Sequence, residues 1–356
     1  GPAAYGRGGT EPTVTDANVV LGYLPEMQRL GGDLELRRDL SEQAVKKIGE
    51  ALGKSTREAA AGIYDIVNEN MVGALRLVSV EQGHDPRDYA LIAFGGAGPL
   101  HANALSRLLG SWPSIIPPGP GVLCALGDVT TAVRDEAART FVRKFSETSA
   151  EEIGKVLTKL SAAAARALER EKVPLAEMQR SYQVDVRYHG QGLRLTVDVS
   201  LEALAKQGLK AISGPFDEEH KRLFTFALPL EHEFVALRAV VQGKGIKLKR
   251  PNIAAGGPDP KAAAVGVQRA YMDGRDCRAT VYDRAKLKAG NRLKGPAIVM
   301  EMDSTSVVLP GHTGLVDRIG NILIYPDGHK GLRAGGARRP AARAKAPARA
   351  KSKGRK

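Results

Sequence analysis

The chain has 356 residues, 43% of them hydrophobic, and a formal net charge of +14. That length suits about two domains of the usual 100–200 residues, and no run approaches the roughly 20 apolar residues a membrane-spanning helix needs, which excludes that class. Eleven of the basic residues fall between 330 and 356 with no acid among them, leaving +3 on the body and excluding a chain-wide nucleic-acid surface.

The opening "GPAAYGRGGTEPTVTDANVVLGYL" has no initial Met and begins abruptly, as a fragment, a processed chain or a separately encoded half would. A Gly/Pro/Thr-rich loop leads into a short apolar segment at 17–24. Ser41 then opens a helix expected to run to about Gly53. Ser55 with Glu58 reads as a capping box for a second helix, whose apolar positions Ile63, Ile66, Val67, Met71, Leu75 and Val78 recur at helical spacing.

Residues 89–110, "YALIAFGGAGPLHANALSRLLG", read as a strand, a glycine turn and a helix. The run from Tyr89 to Phe94 does not alternate with polar residues, so a central strand covered on both faces is expected. Pro99 fits the first helical position. Gly95, Gly96 and Gly98 then have two readings. One is a loop whose backbone around Gly95, Gly96, Ala97 and Gly98 meets an anion at the helix start; the other is a tight turn that packs helix against strand. Two familiar motifs are excluded. A P-loop needs Lys-Ser/Thr after its last glycine, where Pro99 and Leu100 stand, and a dinucleotide fingerprint needs Gly or Ala at position 101, where the residue is His101.

Downstream, "GPGVLCALGDVTTAVRDEAARTF" reads as a small-residue helix leading to a strand, and Ser149 with Glu152 opens another helix. The alternation of helices and strands to about residue 138 argues for an α/β domain. "SYQVDVRYHGQGLRLTVDVS" is a hairpin, with Tyr182, Val184, Val186 and Tyr188 alternating in one arm and Leu193, Leu195, Val197 and Val199 in the other. Its "VRYHGQG" offers Arg187, His189 and Gln191 to a substrate, but a turn asks for little more than glycine there, and the turn is the preferred reading. A helix near 216–224 precedes the strand "HEFVALRAVVQG", and residues 271–325 are strands broken by turn signals. The expected domains are therefore 1–138, a β-rich 139–329, and a basic tail at 330–356. The tail is low in complexity and expected to be disordered, serving solubility or loose contact with polyanions. Only Cys124 and Cys277 occur, without metal-ligand spacing, which suits a reducing, cytoplasmic setting.

"GPAAYGRGGTEPTVTDANVVLGYL", "AFGGAGPLHA", "PPGPGVLCALGDV", "DVRYHGQG" and "GPAIVMEMDSTSVVLPG", in that order, resemble the A-type (ATPase) component of the hydantoinase/5-oxoprolinase family, which includes acetone and acetophenone carboxylase subunits. The resemblance covers everything but the tail and corresponds to the C-terminal half of a usual family chain. It implies an α/β fold made of a partial actin-like, sugar-kinase-like ATPase lobe followed by a β-rich α+β domain. The implied activity is ATP-dependent phosphorylation of a carbonyl that drives ring opening of a cyclic amide; the alternatives are a subunit of an acetone/acetophenone-type carboxylase or a non-catalytic assembly remnant. The implied partners are a missing N-terminal ATPase lobe, a B-type component and a small-molecule substrate.

On this resemblance the glycine turn is similar to a nucleotide loop, with Gly95, Gly96, Ala97 and Gly98 against ATP. His101 would then offer one hydrogen bond near the nucleotide as a neutral imidazole at the positive helix end, or serve simply in packing. Glu11, Asp16 and Asn18 are candidate Mg²⁺ ligands through waters; Asp16 alternatively caps the segment after it. One departure stands out. The Asp-x-Gly-Gly-Thr phosphate loop of this fold has no match, since "GRGGT" at 6–10 lacks the aspartate and the apolar strand before it.

Overall fold

The structure is a computed structural model, and it describes residues 1–27, 29, 31–246, 248 and 251–333. In chain order the first half holds α1 (Val14–Val20), α2 (Arg38–Leu52), α3 (Thr56–Leu77), β1 (Leu91–Ile92), α4 (Gly98–Leu109), β2 (Ser114–Ile116), α5 (Leu123–Thr130), β3 (Arg134–Lys144) and α6 (Ala150–Arg170). There follow β4 (Gln179–Tyr188), β5 (Leu195–Val199), α7 (Leu201–Gln207), α8 (Lys210–Phe224) and β6 (His232–Gln242). The chain then runs through β7 (Ala264–Met272), β8 (Arg275–Asp283), β9 (Arg292–Lys294), β10 (Ala297–Met300), β11 (Thr305–Val308), β12 (His312–Val316), β13 (Ile322–Pro326) and α9 (Lys330–Arg333). This is a mixed α/β protein. No helix among the described residues is long and apolar enough to cross a membrane, and the tail beyond residue 333 lies outside the described residues.

Contacts divide the chain into two compact units, one of residues 1–124 with the described part of 250–356, the other of residues 125–249. In the first unit, β2 pairs parallel with β1 on one side and antiparallel with β13 on the other, and the sheet runs β1-β2-β13-β12-β9. Strands from opposite ends of the chain thus share one ladder. A second sheet, β11-β10-β8-β7, pairs β10 parallel to β8. Val20 at the end of α1, Leu21 and Tyr23 just after it, Val45 of α2, Tyr64 of α3 and Leu100 of α4 bury against Met272, Ile298 and Val307 of that second sheet.

The helices start where their caps direct. The Ser55 side chain accepts from the Glu58 N–H while Glu58 reaches back to the Ser55 N–H, fixing the first turn of α3. Its buried face differs from expectation. Ala60, Tyr64, Asn68 and Val72, four residues apart, face the core, whereas Ile66 and Val78 are 65% and 70% exposed. The other expected positions, Ile63, Val67, Met71 and Leu75, are half-buried along the margins of that face, and Ile63 packs against the core. The helix expected from Ser41 begins earlier, at Arg38, and the Ser41 hydroxyl is instead buried against Asp16.

The strand expected to be central across 89–94 is the second correction. It is two residues long and sits at the sheet edge, with Ile92 54% and Phe94 49% exposed. Its continuous apolar run identified a strand but not a covered position.

The second unit is an antiparallel sheet, β3-β6-β4-β5, under α6, α7 and α8. The expected hairpin forms, Tyr182 opposite Val199 and Val186 opposite Leu195. Val184, Val186 and Tyr188 bury against Ile153 and Leu157 of α6, Phe216 of α8, and Phe234 and Leu237 of the central β6.

Candidate functional site

Two glycine turns leave the carboxyl ends of the adjacent parallel strands β1 and β2, the position where open α/β sheets hold ligands. The Gly95 N–H donates to the Pro120 carbonyl at 2.7 Å, tying the first turn to the second. Gly95 has φ +83°, a left-handed conformation that requires glycine. Gly96 and Gly98 do not. A Cβ at Gly96 would come no nearer than 3.4 Å to the Asp303 carbonyl oxygen, and one at Gly98 no nearer than 3.9 Å to Ala93. Neither position is glycine because of this chain's own packing, and Gly96 and Ala97 lie exposed. The twelve-residue α4 starts at Gly98 with no side-chain cap on its first turn, so its amide end suits an anion.

A third segment, 301–304, closes over both turns. The Ser304 hydroxyl donates to the Gly96 carbonyl at 3.0 Å, and Glu301 Oε1 accepts from the Gly119 N–H at 3.2 Å. Gly121 is pressed so close to Asp303 that an added Cβ would stand 2.5 Å from its carbonyl oxygen and 2.8 Å from its Oδ2. Behind them the Arg284 guanidinium donates through Nη2 to the carbonyls of Ile116 (3.2 Å) and Gly320 (2.7 Å), and Nη1 lies 3.6 Å from Glu301 Oε2. Burial pulls the Arg284 pKa below its ordinary value, against the pull of Glu301, and burial likewise raises Glu301. Sequence reasoning assigned no chemistry to Arg284, Glu301, Asp303 or Ser304; the only signal was "GPAIVMEMDSTSVVLPG", which carried a resemblance without a role.

His101 does not face the turn. Its ring is 5% exposed and stacks on Tyr64 of α3 at 5.0 Å, with Nδ1 donating to Asn68 Oδ1 at 2.8 Å. Burial lowers its pKa to about 4. The imidazole is neutral because it is dry, and it packs α3 against α4 as the alternative reading held.

The residues weighed for Mg²⁺ are not brought together. Asp16, fully buried, accepts from the N–H groups of Ala3 (3.2 Å), Ala4 (2.7 Å) and Thr13 (2.9 Å) and from the hydroxyls of Thr13 (2.7 Å) and Ser41 (2.8 Å). Glu11 stands 82% exposed, 3.4 Å from the Lys47 ammonium. Asn18 is buried on α1, its Oδ1 without a hydrogen-bond partner. This donor set does not fit a cation: Asp16 is the capping box of α1 and the anchor of the opening loop. Among the described residues no group of three or more His, Cys, Asp or Glu gathers as a metal site. In the second unit Arg187 and His189 both hold Glu233, at 2.6 and 3.2 Å, beside the turn.

Comparison with known proteins gives this geometry a lineage. A family profile described as Hydantoinase/oxoprolinase matches residues 1–137, and one described as Hydantoinase/oxoprolinase C-terminal domain matches 141–323. The chain belongs to the hydantoinase/oxoprolinase family. Among its relatives is the caprolactamase subunit alpha of Pseudomonas jessenii, 32% identical over 323 residues that make up 87% of this chain and 46% of the relative. The acetophenone carboxylase gamma subunit of Aromatoleum aromaticum is 32% identical over 87% of this chain and 44% of its own length. The crystal structure of the ATP-dependent caprolactamase from Pseudomonas jessenii superposes with a TM-score of 0.77 at 32% identity, covering 92% of this chain and 48% of that one. A nucleotide-free acetone carboxylase structure shares the fold, with a TM-score of 0.69 at 22% identity over 91% of this chain and 48% of the other. The chain spans between about a quarter and a half of the length of the curated relatives it matches.

Proposed function

We propose that this chain is the C-terminal part of an ATP-dependent enzyme acting on cyclic amides, in the manner of a hydantoinase, 5-oxoprolinase or caprolactamase. It would contribute one wall of the nucleotide cleft. The observation that carries this reading is the exposed backbone at Gly96 and Ala97, with glycines at 96 and 98 that nothing in the chain's own packing requires. Bound ATP would supply the phosphoryl group that activates a carbonyl, chemistry that needs positioning and charge neutralisation more than covalent help from the protein. Gly95, Gly96, Ala97 and Gly98 would hold nucleotide oxygens through backbone N–H groups. Ser304 and Glu301 would fix the two turns in register, each by the hydrogen bond described above. Mg²⁺ enters the proposal as the ion ATP carries, not through Asp16.

The cleft's opposite wall would come from an N-terminal ATPase lobe, and a B-type component with a small-molecule substrate would complete the reaction. The division proposed along the sequence is an ATPase-lobe part at 1–138, a β-rich part at 139–329 and a tail from 330; it differs from the compact units, in which β7 to β13 fold with residues 1–124. A carboxylase subunit is the second reading, favoured by the 32% identity to an acetophenone carboxylase subunit; it uses the same nucleotide wall and differs in the substrate. The setting proposed is cytoplasmic.

The test is binding of a fluorescent ATP analogue to this chain assembled with a family N-terminal lobe. Gly96→Asp places a carboxylate against the phosphates and is expected to weaken binding at least tenfold with an unchanged melting temperature. Equal affinity in the two proteins would remove the nucleotide role from this turn and leave an assembly module.

A further inference from the structure

A cavity of about 220 Å³ opens at the far end of α4 from the glycine turn, and every residue lining it belongs to the first unit. Arg107 stands nine residues along α4 from Gly98, about 14 Å at the rise of 1.5 Å per residue, so this space is separate from the nucleotide wall. The rings of Tyr23, Tyr64 and Tyr271 line it, with three charged side chains among them, Asp65, Arg107 and Asp273. Its volume is below the roughly 300 Å³ of a drug-sized site and suits a small molecule.

Each charged group arrives from a different element. Asp65 is on α3, Arg107 is on α4, and Asp273 sits in the two-residue turn of the β7–β8 hairpin. Asp273 (φ +50°) and Gly274 (φ +76°) are both left-handed there, the conformation an Asp-Gly hairpin turn takes. Arg107 Nη1 donates to Asp273 Oδ1 at 2.7 Å, and no other hydrogen bond engages the guanidinium among the described residues. The Asp65 carboxylate makes neither a hydrogen bond nor an ion pair among them. Tyr23 is 4% exposed, yet its hydroxyl also lacks a hydrogen-bond partner among the described residues. Burial, then Tyr64 and the charges of Asp273 and Asp65, push the Tyr23 pKa above its ordinary value, as a phenol facing both acids requires. A buried hydroxyl without a partner is costly unless what fills the cavity supplies one.

The walls select the ligand. Two carboxylates against one guanidinium leave a negative charge in excess, and tyrosine faces attract cations, so an ammonium group suits the space. An ammonium carries three donors, and Asp65, Asp273 and the Tyr23 oxygen offer three acceptors. The guanidinium donors of Arg107 that Asp273 does not use suit a carboxylate. A short chain bearing both groups is an amino acid. We propose that this cavity binds a small amino acid, the class of product that hydrolysis of a cyclic amide releases, since opening the ring leaves an amine and a carboxylate on one chain. The ammonium lies among Asp65, Asp273 and Tyr23, and the carboxylate lies on Arg107. Naming the ligand as a product rests on the cyclic-amide reading; the cavity and its charges do not.

The test is isothermal titration calorimetry of the full chain, without nucleotide, against 6-aminohexanoate and glutamate, with hexanoate and hexylamine as analogues that lack one of the two charged groups. At least one amino acid is expected to bind one to one and at least tenfold more tightly than either analogue, and the tighter of the two tells an ω-amino acid from an α-amino acid. Asp65→Asn is expected to weaken binding at least tenfold and Tyr23→Phe at least threefold, each with an unchanged melting temperature. Asp276→Asn, on the same hairpin but paired with Arg57 outside the cavity, is expected to leave binding intact. Absence of binding by both amino acids, equal binding of hexanoate or hexylamine, unchanged affinity in both Asp65→Asn and Tyr23→Phe, or equal weakening by Asp65→Asn and Asp276→Asn would each overturn the proposal. Gly96→Asp is expected to bind the amino acid as the wild type does, so these outcomes are separate from the nucleotide measurement.

Discussion

At the scale of single residues, Asp16 and His101 show how much burial decides. Burial by itself would push the Asp16 carboxyl upward, but the Thr13 hydroxyl, the Ala4 N–H, Ser41 and the Thr13 N–H outweigh it and hold its pKa below the ordinary carboxylate value. Removing such an acceptor strands five donors. Asp16→Ala is therefore expected to cost about 3 kcal/mol in urea unfolding, and a loss under about 1 kcal/mol would show that water replaces the carboxylate easily. His101 works in the opposite sense with pH. Its folded pKa, about 4, lies below the ordinary 6.5, so the unfolded chain binds a proton that the folded chain refuses between those values. The neutral ring's contribution is complete above pH 6.5 and falls away toward pH 4. Between pH 7.5 and 5 the wild type should lose about 2 kcal/mol that His101→Gln does not. Parallel pH profiles of the two proteins would contradict the buried, neutral assignment.

At the scale of elements, α3 is a helix whose two faces have been read from opposite cues. Its apolar spacing points to Ile63, Ile66, Val67, Met71, Leu75 and Val78, of which Ile66 and Val78 are exposed, while its fully buried stripe is Ala60, Tyr64, Asn68 and Val72. Val72, 1% exposed, should not tolerate a charge, and Val72→Asp is expected to destabilise by more than about 3 kcal/mol. Ile66→Glu should change stability by no more than about 0.5 kcal/mol. Equal effects in thermal melts would mean that α3 is rotated from the orientation described. The glycine turn belongs to this scale too. Gly95 is dictated by its own φ, whereas at Gly96 and Gly98 an added Cβ would meet only ordinary contacts, with Asp303 at 3.4 Å and Ala93 at 3.9 Å.

At the scale of the whole molecule, the segment 125–249 has a core of its own, in which Phe141, Ile153, Leu157, Tyr188, Phe216 and Phe234 all come from that segment. Expressed alone, residues 125–249 are expected to unfold cooperatively in a single urea transition followed by circular dichroism. A broad transition without cooperativity would show that the unit depends on the rest of the chain. The first unit is built otherwise: β13 pairs with β2 across about two hundred residues of sequence, so truncation after 249 removes most of the strands of its two sheets.

Local rules sufficed for what is local. The capping box at Ser55 and Glu58, the hairpin of β4 and β5 and the strand at β6 follow from neighbouring residues in the sequence, because their energies come from contacts a few positions apart or from simple alternation. The five ordered motifs likewise carried the family, since a motif is a local string. Tertiary structure alone decided that β1 is an edge, that His101 turns into α3, that Asp16 is spent on the opening loop, and that residues 301–304 close over the glycine turns. Each of these depends on which distant segment arrives to remove water from a side chain or to fill a hydrogen bond, and no pattern along the chain encodes that meeting.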